Sequence, residues 1–217
     1  MSENQEQSLP SSEEAVVPRL ILILGGARSG KSALADRLAA SSGRPVAFIA
    51  TATAGDVEMR ERIARHRASR PKGWHILEEP LDLARAVRQA AELADVVLLD
   101  CVTLWLGNVL LQASWQREKD DEGEVEFHTT NRLFDERALK EIEVLLAVAR
   151  SLGPNKTLIV VTNEVGFGVV PAYPLGRLYR DTLGYINQRL AQAADRVYLM
   201  MAGMAIDIKR LHEEASL

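Results

Sequence analysis

Two short segments of the chain carry residue types that could act on phosphate groups. The first is GGARSGKS, residues 25–32, which matches the spacing G-x-x-x-x-G-K-S. Gly25 and Gly30 allow successive backbone amides to turn towards phosphate oxygens, and a following helix adds the partial positive charge of its N-terminus. Lys31 can reach the β- and γ-phosphates, and the Ser32 hydroxyl can bind Mg²⁺. The segment predicts a phosphate-binding loop that consists of Gly25, Gly26, Ala27, Arg28, Ser29, Gly30, Lys31 and Ser32.

The second segment is RIARHRASRP, residues 62–71, in which four arginines surround one histidine. On a helix, Arg62, His66 and Arg70 share one face because they are spaced four residues apart. Neighbouring guanidinium groups favour the neutral imidazole, which is the form that can attack phosphorus. The residues alone leave two interpretations open. One is a solvated helix face that includes a histidine, and the other is a polyphosphate site with His66 as its nucleophile.

An acidic residue ends one of the apolar runs. Asp100 closes VVLLD, residues 96–100, so we expect it at the carboxyl edge of a sheet, where open α/β sheets bind ligands. With Ser32 it predicts an Mg²⁺ site beside the phosphates, and the alternative is a simple strand-end cap. The adjacent Cys101 is interpreted as a small buried hydrophobe rather than a nucleophile.

Five further residues have open roles. Asn163 and Glu164 follow an apolar run and either position water or metal or cap the strand. Trp105 is expected in the core, as aromatic side chains usually are. Arg177 and Arg180 lie three residues apart on a predicted helix, where they either reach phosphate or form a wet face.

Apolar runs that alternate with helical patterns must position these groups. Strands are predicted over residues 19–26, 45–52, 95–102, 157–165 and 196–203, and helices over 32–40, 56–69, 82–93, 132–151 and 175–193. This alternation predicts an α/β fold of the single-domain P-loop NTPase (RecA-like) kind, a mostly parallel sheet with helices on both faces. The charge-dense residues 114–131 lack periodicity and predict a mobile loop.

Composition limits the class of protein. The formal net charge is -4 and the single cysteine rules out an internal disulfide, so bulk nucleic-acid binding is disfavoured and a reducing compartment is expected. No apolar run is long enough to span a membrane, and the N-terminus lacks the features of a secretion signal. We therefore expect a cytoplasmic protein with a disordered tail over residues 1–18 and one nucleotide-binding domain over residues 19–217.

The motifs together resemble a known family. The resemblance is carried by GGARSGKS, IATA (49–52), DVEMRERIARHRASRPKGW (56–74), LEEP (77–80), LLDCVTLWLGN (98–108), VTNEVGFGVVP (161–171) and the segment from 180 to 209. In these segments the chain is similar to the bifunctional adenosylcobinamide kinase/adenosylcobinamide-phosphate guanylyltransferase family of cobalamin biosynthesis. The tail and the 114–131 segment lie outside the resemblance.

The resemblance implies two reactions, with GTP and ATP as nucleotide substrates and Mg²⁺ as the cofactor. A nucleoside triphosphate first phosphorylates the hydroxyl of the aminopropanol arm of adenosylcobinamide. His66 then takes GMP from GTP, and the phosphate of adenosylcobinamide phosphate displaces the histidine to give adenosylcobinamide-GDP. The resemblance also implies a homo-oligomer, a trimer in related proteins. The residues expected to line the guanine nucleotide are Thr51, Ala52, Arg67, Ala68, Ser69, Arg70, Glu78 and Asp100.

Two other functions are compatible with the phosphate loop. One is a monofunctional small-molecule kinase in which His66 is incidental, and the other is a RecA-like, ATP-driven module that acts on nucleic acid or on a protein. The acidic balance and the lack of an aromatic–basic pattern count against nucleic acid. A covalent GMP adduct would exclude both. If His66 were not its site, His75 would be the next candidate.

Overall fold

The structure, a computed structural model, describes residues 17–53, 70–120 and 127–215, with the backbone alone at 113–120 and 127–133. In these ranges the strands are β1 (Leu20–Gly25), β2 (Val46–Ala50), β3 (His75–Glu78), β4 (Val96–Asp100), β5 (Thr157–Val161), β6 (Arg196–Met201) and β7 (Met204–Asp207). The helices are α1 (Lys31–Ser41), α2 (Leu83–Leu93), α3 (Val102–Asp120), α4 (Phe127–Ser151), α5 (Pro174–Ala193) and α6 (Ile208–Ala215).

All seven strands form one sheet in the order β3-β2-β4-β5-β1-β6-β7. The pairs from β3 through β6 are parallel, and only β7 runs antiparallel to its neighbour β6. The carboxyl ends of β1, β2, β3, β4 and β5 therefore meet at one edge of the sheet, which is the edge that α/β proteins use to bind ligands.

Helices cover both faces of this sheet, as the continuous apolar strands predict. Alternate residues of β1 point to opposite faces: Leu22 packs in the cluster with α2, α4 and α5, whereas Ile23 packs in the cluster with α1. Both side chains are completely buried. The predicted α/β architecture with a mostly parallel, doubly covered sheet is confirmed.

The predicted helix over 82–93 is present as α2, which begins at Leu83 with Asp82 as its N-cap. The Asp82 carboxylate accepts a hydrogen bond of 2.9 Å from the backbone amide of Arg85, which satisfies one of the free amides in the first turn of α2. The helix over 175–193 begins one residue earlier than predicted, with Pro174 at its first turn, where the missing amide proton costs nothing.

Several elements differ from the sequence expectations, including helices α3 and α6, for which no helix was predicted. Strands β3 and β7 were not predicted, because each has only four residues and neither alternates apolar with polar residues. The predicted mobile loop at 114–131 is wrong for most of its length: the backbone is helical up to Asp120 and again from Phe127, while 121–126 lie outside the described residues. The physical reason at residues 116–119 is that Gln, Arg, Glu and Lys are strong helix formers even where no apolar stripe marks a helix; residues 127–131 include none of these types.

Some predictions fall on undescribed residues. The helix over 56–69, residues 1–16 of the tail and the last two residues lie outside the described ranges. No helix within the described ranges is both long and apolar enough to cross a membrane.

Candidate active site at the phosphate loop

The phosphate loop joins the end of β1 to the start of α1, as predicted. Gly25 has φ of 152°, and a Cβ atom there would lie 2.4 Å from the Met200 carbonyl oxygen in β6. Gly30 has φ of 97° and precedes the first turn of α1. Arg28 adopts φ of 57°, a left-handed conformation that is unfavourable for a residue with a side chain. The loop therefore needs glycine at 25 for close packing and at 30 for its backbone turn.

Lys31 and Ser32 lie at the N-terminus of α1, where the first backbone amides have no partner within the helix. The Lys31 side chain is largely buried, and its Nζ donates to the Gly26 carbonyl at 2.7 Å. The Ser32 hydroxyl lies 3.1 Å from Oδ2 of Asp100 at the end of β4, to which it donates. The predicted pairing of Ser32 with Asp100 is thus present as a direct contact.

Ser29 adds a further polar group to the loop. Its hydroxyl is buried and has no hydrogen-bond partner among the described residues. The Ser29 carbonyl accepts a hydrogen bond of 3.1 Å from the amide of Gly203, which lies in the turn between β6 and β7. That contact joins the phosphate loop to the β6–β7 turn.

A cavity of about 490 Å³ opens next to the phosphate loop, at the carboxyl edge of the sheet and on the face covered by α1. Registered residues of parallel strands project from the same face, and the register pairs Phe48 with Ile76 and Ala50 with both Glu78 and Asp100. The lining comprises Ala27, Arg28, Ser29, Gly30, Lys31, Ser32, Ala33, Phe48, Ala50, Ala52, Arg70, Ile76, Glu78, Asp100, Cys101, Leu104, Val161 and Asn163.

The end of the cavity on β2 and β3 differs in character from the phosphate loop. Phe48 and Ile76 form an apolar floor there, and Glu78 ends the edge strand β3. The guanidinium carbon of Arg70 lies 3.1 Å from the centroid of the Phe48 ring, a stacked cation–π contact. The cavity thus has a phosphate-binding end and an end with an aromatic ring, a guanidinium group and a carboxylate.

Most of the described residues predicted to bind nucleotide meet in this cavity. Those lining it are Ala27, Arg28, Ser29, Gly30, Lys31, Ser32, Ala52, Arg70, Glu78 and Asp100. Gly25 and Gly26 shape the loop through their backbone. Sequence reasoning missed Phe48 and Ile76. Ile76 lies two residues before the predicted Glu78 on β3, and Phe48 lies two residues before Ala50 on β2, so each side chain shares a face with that residue.

Thr51 differs from the expectation that it lines the nucleotide. The residue is completely buried, and its hydroxyl donates to the Cys101 carbonyl at 2.7 Å while it accepts from the Cys101 amide at 2.9 Å. Both capacities of the hydroxyl are therefore used to join the ends of β2 and β4. The Thr51 side chain supports the cavity wall instead of lining it.

The remaining open residues have defined places. The Trp105 ring is buried in the core with its Nε1 donating to the Leu81 carbonyl at 2.7 Å. Burial, with the Asp100 charge nearby, raises the pKa of Cys101 to about 11, so the thiol stays protonated at neutral pH and is a poor nucleophile. Asn163 lines the cavity, whereas Arg180 donates to the carboxylate of Asp181.

Of the predicted catalytic pair, Lys31 is in the cavity, and His66 lies outside the described residues together with Arg67, Ala68 and Ser69. Arg70, the last arginine of the cluster, lines the cavity. The reserve candidate His75 begins β3, whereas Glu78 ends it, so His75 lies ~10 Å from the ligand edge at about 3.3 Å per residue. That placement argues against His75 as the nucleophile.

Comparison with known proteins identifies the family. A sequence model described as cobinamide kinase / cobinamide phosphate guanyltransferase matches residues 21–208. The bifunctional adenosylcobalamin biosynthesis protein CobP of Pseudomonas aeruginosa is 48% identical over 188 residues, which are 87% of this chain and 96% of that protein. The protein CobU of Escherichia coli K12, described in the same words, is 37% identical over 190 residues, 88% of this chain and 99% of that protein.

A solved structure supports the fold class. A prototypical ATPase from the type III secretion system of pathogenic bacteria superposes with a TM-score of 0.52 at 14% identity, covering 90% of this chain and 54% of that one. Together with the phosphate loop, this likeness confirms the P-loop NTPase fold. The family match spans every described strand apart from the first residue of β1, and on that evidence the chain belongs to the cobinamide kinase / cobinamide phosphate guanyltransferase family.

Proposed function

We propose that this chain uses a single cavity for both reactions of its family. Family membership makes it a bifunctional enzyme: a cobinamide kinase and a cobinamide phosphate guanylyltransferase. The observation that carries the single-cavity proposal is that the phosphate loop and Glu78 line one continuous space. A guanine nucleotide whose phosphates bind at the loop can extend its base towards β3 within that space.

In the kinase reaction the protein acts by positioning and by charge. The acceptor hydroxyl oxygen forms a bond to the γ-phosphorus, the bond to the nucleoside diphosphate oxygen breaks, and the hydroxyl proton is released. We assign the Lys31 ammonium group and the first backbone amides of α1 to the phosphate oxygens on which charge accumulates. We assign the buried Ser29 hydroxyl, which has no partner among the described residues and lines the cavity, as a further donor to the same phosphates.

The Ser32 and Asp100 side chains fit Mg²⁺. Hydroxyl and carboxylate oxygens are the ligands that this ion takes from proteins, with substrate phosphates and water completing its shell. No group of three or more His, Cys, Asp and Glu side chains suited to a metal ion occurs among the described residues, so the protein would supply few ligands. When bound, Mg²⁺ neutralises charge that develops on the phosphates.

In the guanylyl transfer we assign the nucleophile to His66. The imidazole nitrogen attacks the α-phosphorus of GTP, a phosphorus–nitrogen bond forms, and pyrophosphate leaves. A phosphate oxygen of the acceptor then attacks the same phosphorus, and the bond to nitrogen breaks. The arginines that flank His66 in the sequence, Arg65 and Arg67, support this role because guanidinium groups stabilise a departing polyphosphate.

Guanine selection is assigned to Glu78. Its carboxylate could accept hydrogen bonds from N1–H and the 2-amino group of guanine, which adenine does not offer. The Phe48 ring and the Arg70 guanidinium that stacks on it provide flat surfaces beside that carboxylate. The end of the cavity on β3 therefore suits a planar base with an edge of donors.

The test combines two variants with GTP labelled on its α-phosphate. After incubation with Mg²⁺ and denaturation, the wild-type protein should retain label in an acid-labile, base-stable bond. His66→Asn should retain no label and form no adenosylcobinamide-GDP, yet still phosphorylate adenosylcobinamide. Lys31→Ala should slow both reactions, by ~10²–10³-fold in the kinase step, because it removes charge stabilisation at the shared loop.

Two outcomes would contradict these assignments. Label on His66→Asn would place the nucleophile on another residue. Wild-type labelling of Lys31→Ala would mean that the two reactions do not share the phosphate loop. Folding of each variant is checked by circular dichroism, so that a lost activity is not a lost fold.

The proposal also covers the oligomeric state, the compartment and the partners of the enzyme. We expect a homo-oligomer, a trimer by resemblance, that works in the cytoplasm on adenosylcobinamide and its phosphate and does not bind nucleic acid. The formal net charge of -4 and the single cysteine support the compartment and the absence of a nucleic-acid partner.

A further inference from the structure

The loop between β5 and α5 presents apolar side chains to solvent. In this segment, residues 166–173, the exposed fractions are 85% for Phe167, 96% for Val169 and 70% for Tyr173. Isolated apolar residues are common on protein surfaces, but several in one short loop usually mark a binding surface. This segment is called the apolar loop below.

Hydrogen bonds fix the apolar loop at both ends. At its start, the Gly166 amide donates to the Glu164 carboxylate at 2.6 Å. At its end, Nη1 of Arg177 donates to the carbonyls of Pro171 and Ala172 at 3.0 and 2.7 Å. The apolar side chains are therefore held outwards by an anchored backbone.

The apolar loop leaves the sheet beside the phosphate site. Asn163, three residues before it, lines the cavity. The Glu164 amide donates to the Gly25 carbonyl at 3.0 Å, which ties the chain entering the apolar loop to the first residue of the phosphate loop. Strand β5 lies between β1 and β4, so this segment emerges between Lys31 and Asp100.

The chemistry of the acceptor matches that location. The cavity volume of about 490 Å³ suits a nucleotide, and the acceptor has to bring only its hydroxyl or phosphate to the reacting phosphorus. The corrin macrocycle that carries this arm must then lie outside the cavity mouth. Its rim bears methyl groups and carboxamides, so a surface that binds it needs apolar side chains next to the phosphate site.

We propose that the apolar loop is the binding surface for the corrinoid part of the acceptor, with Phe167 and Val169 as its main contacts. This inference rests on the proposed function. Because the chain entering the apolar loop is hydrogen-bonded to Gly25, an acceptor whose arm reaches the phosphate site brings its corrin ring next to this loop. The corrinoid is therefore the occupant that the location favours.

The test is the double variant Phe167→Ser/Val169→Ser, with Met204→Ser as its matched control. Met204 is also exposed and apolar but lies on the edge strand β7. The dissociation constant of adenosylcobinamide, measured by equilibrium dialysis, should rise at least tenfold in the double variant, or ~1.4 kcal/mol, and stay at the wild-type value in the control. The conservative variant Phe167→Leu should retain most of the affinity.

Labelling of the protein by GTP provides a second readout, because that half-reaction does not involve the corrinoid. The double variant should label at the wild-type rate, which also shows that it is folded. An unchanged dissociation constant in the double variant would overturn the inference. A lower assembly mass of the double variant in sedimentation would also overturn the inference, because the apolar loop would then bind a second copy of the chain.

Failure of the proposed function gives a different result. In that case the wild-type protein itself would neither bind nor phosphorylate adenosylcobinamide. If wild-type binding and turnover are normal and the double variant binds adenosylcobinamide as tightly as the wild type, the proposed function stands. The assignment of the apolar loop to the corrinoid is then wrong.

Discussion

Glu78 illustrates how one side chain could set nucleotide choice. It ends the edge strand β3 and lines the cavity beside Ile76 and the stacked Phe48–Arg70 pair. A carboxylate accepts two donors equally well, whereas an amide offers one acceptor and one donor group. An unpaired donor on bound guanine costs ~1–3 kcal/mol, so the effect of an amide at this position should be large.

Glu78→Gln should therefore reduce the preference for GTP over ATP in the nucleotidyl step by roughly 10-fold or more. The measurement is kcat/KM for protein labelling with each α-labelled nucleotide. Glu92→Gln, the same change at an exposed position on α2, serves as the control. Equal discrimination between GTP and ATP by the wild type and Glu78→Gln would mean that Glu78 is a solvated carboxylate that does not select the base.

At this scale the motif-bearing residues were predictable and their surroundings were not. Lys31, Ser32 and Asp100 could be placed from the sequence, because each follows a buried strand or opens a helix. Thr51 could not, since the two hydrogen bonds that occupy its hydroxyl depend on a contact with Cys101 fifty residues away. Long-range pairing of this kind leaves no local signal in the sequence.

Among the elements, the phosphate loop depends on the hairpin formed by β6 and β7, which packs against it. Gly25 pairs with Met200 of β6, and the turn between β6 and β7 donates through Gly203 to the Ser29 carbonyl. This packing leaves no space for a side chain at residue 25, where a Cβ atom would be 2.4 Å from a backbone oxygen. The conformation of the phosphate loop is therefore set by its packing against β6 as well as by its own sequence.

Gly25→Ala should lower the free energy of unfolding by ~2–3 kcal/mol, since both the backbone conformation and the close contact oppose a methyl group. Gly43→Ala is the informative control: Gly43 also has a positive φ of 64°, but nothing lies within 4 Å of its added Cβ. It should cost only ~1 kcal/mol. Denaturation by urea measures both, and equal small losses would show that the loop can move away from Met200.

The two strands that sequence reasoning missed have different causes. β7 follows β6 through a turn in which Ala202 has φ of 50° and Gly203 has φ of 82°. Alanine is not a residue that signals such a turn, so the hairpin could not be read from the chain. β3 is an exposed four-residue edge strand whose place is set by pairing with β2, a tertiary contact.

For the whole molecule, the cavity joins strands that are distant in the sequence. Its walls come from the ends of β2, β3, β4 and β5 and from the loop after β1. The alternation of apolar runs and helices predicts that these ends meet at one edge, but not that β5 lies between β1 and β4. Strand order is decided by helix packing across the sheet, which single segments do not encode.

A nucleotide that spans this cavity should stabilise the entire fold, because it binds the folded chain and not the unfolded one. At a concentration one hundred times its dissociation constant, the gain is ~2.7 kcal/mol, which for a domain of this size raises Tm by ~5–11 °C. The probe is GTP with a methylene group between its α- and β-phosphorus atoms, which resists transfer of GMP. Scanning calorimetry with Mg²⁺ measures the shift.

The same measurement separates the two ends of the cavity. Lys31→Ala should lose most of the shift with the GTP analogue and with the corresponding ATP analogue, since both place their phosphates in the loop. Glu78→Gln should lose it chiefly for the GTP analogue, because only guanine engages the carboxylate. If Lys31→Ala kept the full shift with both analogues, the nucleotide phosphates would bind away from the residue 25–32 loop, and the assignment of the cavity would fail.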